Sequence, residues 1–180
     1  MTIKPLTPPY PAEVEKLLAG YPQQNGYLLS LFRLFANSPR FLGGKGVVNH
    51  LDKGSPLTLR DREIVILQTC AHFDCEYEWG VHVTIFGEAA KLTEAQVRST
   101  REKDINADWP TRDQLLINVV KDLCKNSSLS ASYRELFEEN WQVDQQFEIL
   151  ALVGNYFLVS LMANTYQLDT EDFAASFPDT

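Results

Sequence analysis

The chain has 180 residues, 44% of them hydrophobic and 22% charged, with a formal net charge of −8. That length suits one domain with a real core, and the acidity speaks against nucleic acid or an anionic membrane surface as a partner. Three cysteines and no signal-peptide pattern point to a reducing, cytoplasmic setting rather than a disulfide framework.

Residues 1–10 hold three prolines and read as an extended arm. Ala12–Leu18 predicts a short helix, stopped by Gly20 and Pro22. Leu28, Leu29, Leu31, Phe32, Leu34 and Phe35 form a strongly apolar helix that ends before Pro39. Phe41–Leu51 reads as another helix, weakened by Gly43, Gly44 and Gly46, and residues 52–57 as a loop. Thr58 followed by Asp61 resembles a capping box. The helix it opens carries Leu59, Glu63, Ile66, Leu67 and Cys70 on one side. His72–Asp74 is the break, and Asp74 is the expected N-cap of a helix beginning at Cys75. On that helix Cys75, Glu78 and His82 share a face with Trp79, Val83, Ile85 and Phe86.

Thr93 with Gln96 predicts a second capping box and a short helix, and residues 101–110 a loop. Thr111 with Gln114 repeats the signature at the start of the next helix, as does Ser132 with Glu135 for the one that follows. Asp144 is the expected cap of the last and longest helix, Gln145–Gln167. Its apolar residues lie on two flanks, Phe147, Leu150, Ala151, Phe157, Leu158 and Leu161 on one, Ile149, Leu152, Tyr156 and Val159 on the other. Such a helix is buried all round. Glu148, Asn155, Ser160 and Asn164 interrupt a run that would need ~20 apolar residues to span a membrane, so a subunit interface explains the second flank better. Alternating β-branched runs are missing, and the predicted fold is all-α. Metal-ligand spacings and glycine-rich phosphate loops are missing too, so neither metal nor cofactor is expected.

The chemistry concentrates between Glu63 and His82. An unpaired carboxylate at Glu63, inside an apolar stripe, would be costly. It either caps the break at residues 72–74 or belongs to a proton relay with His82. Glu78 and His82 are an i, i+4 pair, worth only ~0.3–0.5 kcal/mol on a solvated helix. Set among Trp79, Ile85 and Phe86, the carboxylate raises the imidazole pKa and fixes its tautomer, as in an oriented general acid or base. Cys75 reads either as a small buried hydrophobe or as a nucleophile activated by a helix N-terminus. That dipole is worth ~0.3–1 kcal/mol, against Asp74, Glu76 and Glu78 at roughly 0.5–2 kcal/mol each. The carboxylates win, and the thiol stays protonated. Trp79 and Phe86 read as pocket wall and core, His72 as a partner for its helix C-terminus, and His50 and Cys124 carry no signal.

Glu63, then Cys75, Glu78 and His82 at these spacings, followed by Phe86–Ala90 and Leu92-Thr93, resemble the carboxymuconolactone decarboxylase and alkyl hydroperoxidase D-like superfamily. The likeness spans about residues 25–168. It includes Leu-Thr-Leu-Arg-Asp-Arg-Glu at 57–63 and Gln-Gln-Phe-Glu-Ile-Leu-Ala-Leu-Val-Gly-Asn-Tyr at 145–156. Residues 1–24 then form an N-terminal arm and short helix, and 169–180 a tail. The resemblance implies an all-helical fold round a central two-helix core, and a homo-oligomer, trimer or hexamer. The hydroperoxidase branch uses a Glu, a Cys-x-x-Cys pair and a His. Glu63, Cys75 and His82 match, but Glu78 stands where the second Cys should be, and Cys70 and Cys124 stand at other spacings. The decarboxylase branch has Glu-x-x-x-His on this helix, which Glu78 and His82 reproduce. The first functional expectation is therefore cofactor-free acid–base chemistry on a small organic acid or lactone, with His82 moving the proton, Glu78 orienting it and Glu63 behind. A thiol-dependent hydroperoxide reductase using Cys75 and a non-catalytic oligomeric binding protein are the alternatives.

Overall fold

A computed structural model of the chain describes residues 4–43, 54–102 and 107–178. Among the described residues there are nine α-helices and no strand. They are α1 (Ala12–Leu18), α2 (Ser30–Phe35), α3 (Pro39–Gly43), α4 (Leu59–His72), α5 (Glu76–Phe86), α6 (Glu94–Ser99), α7 (Thr111–Asn126), α8 (Ala131–Asn140) and α9 (Val143–Thr165). The all-α expectation holds. Of the helix predicted over Phe41–Leu51, only the part to Gly43 is described; the remainder, with His50, lies outside the described residues, as do residues 103–106 of the predicted loop.

The hub is α4, which packs against α5, α7 and α9. Every residue from Asp61 to Ala71 is buried, so the helix has no solvent side and the predicted one-sided stripe is too narrow. Its charged residues survive burial because each has a partner. Arg112 Nη1 donates to Asp61 Oδ1 at 2.7 Å, and Arg62 Nη1 to Glu148 Oε1 at 3.1 Å.

Helix starts follow the sequence only in part. Thr58 Oγ1 accepts from the Asp61 N–H, and Thr93 with Gln96 makes a complete capping box. Thr111 is not a cap: α7 starts on it directly, behind Pro110, whose carbonyl accepts the Gln114 N–H. α8 begins after Ser130 rather than at Ser132. α9 begins after Gln142, which shares a capping box with Gln145. Asp144 instead occupies the first turn, where the helix dipole favours it.

Asp74 also differs from its expected role. α4 closes in a Schellman motif, with the Asp74 N–H on the Ala71 carbonyl at 3.4 Å and the Cys75 N–H on the Cys70 carbonyl at 2.9 Å. The motif requires a left-handed residue, and Asp74 supplies it at φ 56°. Its carboxylate pairs with Arg101 at 2.6 Å, and Cys75 takes the N-cap position of α5.

The inner flank of α9, including Ile149, Leu152, Tyr156 and Val159, is buried in the core. The outer flank is bare in the single chain, with Phe147 70% and Leu161 49% exposed and Leu150, Phe157 and Leu158 exposed beside them. Burial all round is therefore incorrect for one chain. By length and composition α9 could cross a membrane, although its inner flank packs on α4, α5, α7 and α8.

After α9 the chain returns across α5. The Glu171 carboxylate accepts from Tyr77 Oη at 2.5 Å, the Ser30 N–H at 2.7 Å and Tyr27 Oη at 2.8 Å. The Ala175 N–H donates to Thr84 Oγ1 at 2.9 Å. Phe177 packs on Trp79 with ring centroids 5.2 Å apart and lies under the Arg101 guanidinium. This strap ties α5 to α2, the two helices that wall the site described next.

Candidate active site

α4 delivers Glu63, α5 delivers Glu78 and His82, and the inner flank of α9 delivers Tyr156. All four are buried. His82 stands at the centre. Its Nδ1 lies 2.8 Å from Glu63 Oε2, its Nε2 lies 2.9 Å from Tyr156 Oη, and Glu78 Oε2 is 3.5 Å from the same Nε2. The Phe86 ring lies against the imidazole at 5.2 Å.

The group faces a cavity of about 130 Å³. At ~30 Å³ per water, that is room for a few waters or one small molecule. Arg62, Glu63, Glu78, His82 and Tyr156 provide its polar lining. Leu31 and Phe32 from α2 and Ile85 and Phe86 from α5 provide much of the apolar wall. An apolar chamber with a few convergent polar groups is the ordinary form of a small-molecule site.

Burial pulls the His82 pKa down, but the charge and hydrogen bond of Glu63, reinforced by Glu78, outweigh it and raise it to about 9. His82 is therefore an imidazolium at neutral pH, donating through Nδ1 to Glu63. Burial, with the charges of Glu78 and Glu63, pushes Tyr156 well above the usual phenol range, so it keeps its proton. When His82 yields the proton on Nε2, Tyr156 Oη donates to that nitrogen.

This arrangement makes stability pH-dependent. A cation whose pKa is raised on folding stabilises the fold fully below its unfolded value and loses that contribution as pH rises through the folded one. For His82 the window runs from about 6.5 to about 9, with roughly 3 kcal/mol at stake. Urea midpoints should fall across that window, and the fall should flatten in Glu63→Gln. An unchanged slope in that variant would contradict the pairing.

Three roles read from the sequence change. Glu63 makes the short bond that orients His82, and it does not cap the break at 72–74. Glu78 is the looser partner, 3.5 Å from Nε2, and both carboxylates line the cavity. Trp79 does not line the cavity: it points away, donating from Nε1 to Thr100 Oγ1 at 2.8 Å and stacking on Phe177. Phe86 does line it. Cys75 is 0% exposed and is not among the lining residues. Burial pushes its thiol up to about 11, with the Glu78 and Asp74 charges adding to the effect and contacts from the Glu78 N–H and Ser160 opposing it. Desolvation is thus the dominant cause, ahead of the acidic neighbours. Glu76 turns to the strap, accepting the Phe177 N–H at 2.8 Å. His72 is exposed at the end of α4, edge-on to Phe73.

Sequence reasoning missed Tyr156 and Arg62 as site residues. Tyr156 left a signal, since a phenol on the inner flank of an apolar helix needs a hydrogen-bond partner. Arg62, beside Glu63 on the most buried helix, left a similar one.

No protein-family model and no curated protein sequence matches the chain. Solved structures do match. One, described as an alkylhydroperoxidase core and an uncharacterized peroxidase-related protein from Ralstonia eutropha JMP134, gives a TM-score of 0.76 at 21% identity, over 96% of this chain and 94% of that one. Another, an uncharacterized peroxidase-related protein from Silicibacter sp. TM1040, gives 0.79 at 14% identity, over 98% and 96%. The chain thus has the all-helical alkylhydroperoxidase D-like fold, and the resemblance read from the sequence holds at the level of the fold.

Proposed function

We propose that the chain is an enzyme that carries out cofactor-free proton transfer or decarboxylation on a small organic acid or lactone in the His82 cavity. One observation carries this reading: a buried imidazole, held at Nδ1 by Glu63 and at Nε2 by Tyr156, lines a largely apolar cavity. The Nδ1–Glu63 bond fixes the ring, so the mobile proton sits on Nε2, between Tyr156 and Glu78. At neutral pH His82 starts as an acid. It donates from Nε2 to the carbanion or enolate that develops as the substrate carboxylate leaves as CO2, and Tyr156 donates to the nitrogen left behind. In C–H exchange the neutral imidazole formed in this way is the base that takes the substrate proton and returns one from solvent. The substrate's own carbonyl delocalises the charge, and the apolar wall keeps out water that would weaken these interactions.

The test is to offer small β-keto acids and lactones in deuterated water and follow CO2 release and C–H exchange by NMR. Turnover that vanishes in His82→Asn and persists in Cys75→Ser supports the reading. Hydroperoxide turnover that needs Cys75, with no proton exchange on any of these compounds, overturns it. That second reading, a thiol-dependent hydroperoxide reductase, draws support from the peroxidase-related names of both solved neighbours. The burial and raised pKa of Cys75 weigh against it.

The bare flank of α9 supports a homo-oligomer, trimer or hexamer, in which Phe147, Leu158 and Leu161 are covered by another copy. Light scattering at micromolar concentration should return a multiple of 20.5 kDa. Phe147→Asp with Leu161→Asp should shift it toward the single-chain mass. A wild-type protein that runs as a monomer refutes the assembly.

A further inference from the structure

The opposite face of α4 borders a second hollow. By helical spacing Gln68, Ala71 and His72 point away from Arg62 and Glu63. They form one wall of a cleft of about 810 Å³, completed by the end of α6 and by the face of α7 that carries Ile117, Lys121 and Lys125. No described residue lines both this cleft and the His82 cavity. Gln68 is only 3% exposed, and among the described residues its carboxamide has no hydrogen-bond partner. A buried amide in that state is costly until something in the cleft bonds to it. Trp109 lines the cleft as well, its ring fixed by the Nε1–H bond to Ser99 Oγ at 3.0 Å. The charge here is unlike that of the whole chain, which is −8. The described lining sets Arg101, Lys121 and Lys125 against one carboxylate, Glu102. Asp74 offsets Arg101 at 2.6 Å, and Arg98 offsets Glu102 at 2.9 Å. Asp122, within electrostatic reach of Lys125, turns to the start of α8 and accepts the Ser130 N–H at 2.7 Å. Lys121 and Lys125 stand one turn apart on the cleft face of α7, where like charges repel.

We propose that this cleft binds a mononucleotide, a planar base joined to a phosphate, at a site separate from the His82 cavity. The phosphate lies between Lys121 and Lys125 and relieves their repulsion. Lysine meets a phosphate as a point charge, whereas a carboxylate is better met by the planar fork of an arginine. The Arg101 fork is already taken up by Asp74 and the Ala71 carbonyl, so the cleft favours a phosphate over a carboxylate. The base lies along Trp109, since an aromatic ring stacks on any base. Gln68 offers an amide N–H and C=O to the edge of that base, which meets the hydrogen bonds the protein leaves unmade. The volume falls within the roughly 300–1,000 Å³ usual for sites that take a ligand of this size. The His82 cavity, at about 130 Å³, is too small for it. The cleft goes beyond the acid–base reading and stands independently of it, because the two sites share no described lining residue.

The experiment titrates AMP into the folded full-length protein at low salt, followed by calorimetry and by tryptophan fluorescence. The expected result is one site per chain with a dissociation constant below ~1 mM, a fluorescence change that Trp109→Phe removes, and weaker binding as salt rises. Adenosine has the base without the charge, and inorganic phosphate the charge without the base. Each should bind at least about tenfold more weakly than AMP. Lys125→Gln, at an exposed position, should weaken AMP about tenfold. Gln68→Leu should weaken AMP severalfold while the unliganded chain melts no lower, because an apolar group of similar shape removes the unmet amide. If that variant does not fold, Lys125→Gln still decides. Three outcomes overturn the proposal: no saturable binding at millimolar AMP, an unchanged affinity in Lys125→Gln, or adenosine or inorganic phosphate binding as tightly as AMP.

Discussion

His82→Asn should lower turnover by about 10²–10⁴, the loss expected when a general acid or base is removed, while the chain still folds. Asparagine keeps a polar group opposite Glu63 but has no titrating nitrogen to present to the cavity. The carboxylates around it divide the labour. Glu63 supplies the shortest bond to the ring and the largest favourable charge. In Glu63→Gln burial is opposed only by Glu78, so the His82 pKa should drop from about 9 toward its ordinary value of 6.5. The limb of the pH–rate profile on which His82 loses its proton should move to lower pH with it. Glu78→Gln should shift that limb the same way by less, since Glu78 lies 3.5 Å from Nε2. Cys75→Ser should leave the profile in place. A Glu78→Gln shift larger than that of Glu63→Gln would restore the division of roles that the helix spacing alone suggests. A dead Cys75→Ser beside an active His82→Asn would put the chemistry on the thiol.

Gly80→Ala should destabilise the fold by about 1–3 kcal/mol, the usual cost of forcing an extra carbon into a packed interior. A Cβ on Gly80 would meet the Ala175 carbonyl oxygen at 2.0 Å and its carbon at 3.1 Å. Backbone on both sides leaves no flexible side chain to move, so the strap must lift. Lifting it breaks the Ala175 N–H bond to Thr84 and carries Phe177 away from Trp79. Urea denaturation followed by tryptophan fluorescence should report both the lower midpoint and an altered native signal. If the contact is the cause, the same substitution should cost almost nothing in a chain ending at Asp172. An equal cost in the two backgrounds would place the damage inside α5 instead.

The strap contact was out of reach of sequence reasoning. Nothing near Gly80 in the sequence signals a contact, because what crosses it lies 95 positions further along the chain. Trp79 was misplaced for the same reason. One residue from Gly80, it follows the strap and Thr100 away from the cavity, although helical spacing sets it beside Glu78 and His82. Cap placement failed more locally. A Ser or Thr three residues before a Glu or Gln satisfies the pattern at Thr111 and Ser132, and Asp144 is a cap residue by type, but Pro110, Ser130 and Gln142 come first along the chain and start the helices.

By itself the sequence determined the all-α class, the extent of α1, the Thr58 and Thr93 caps, and the stretch from Glu63 to His82 as the place where buried ionisable groups gather. These follow from periodicity and from the cost of burying a carboxylate, a thiol and an imidazole, all properties of neighbouring residues. Only the tertiary structure decided which partner holds which atom. Glu78 meets His82 because i and i+4 always meet on a helix, whereas the shorter bonds from Glu63 and Tyr156 depend on how α4 and α9 pack against α5. Burial likewise turned Cys75 from a thiol opposed by nearby charges into one held neutral by desolvation, and the turn at Asp74 set Cys70 beside it. Those distances arise from packing between segments far apart in the chain, and no spacing within one segment encodes them.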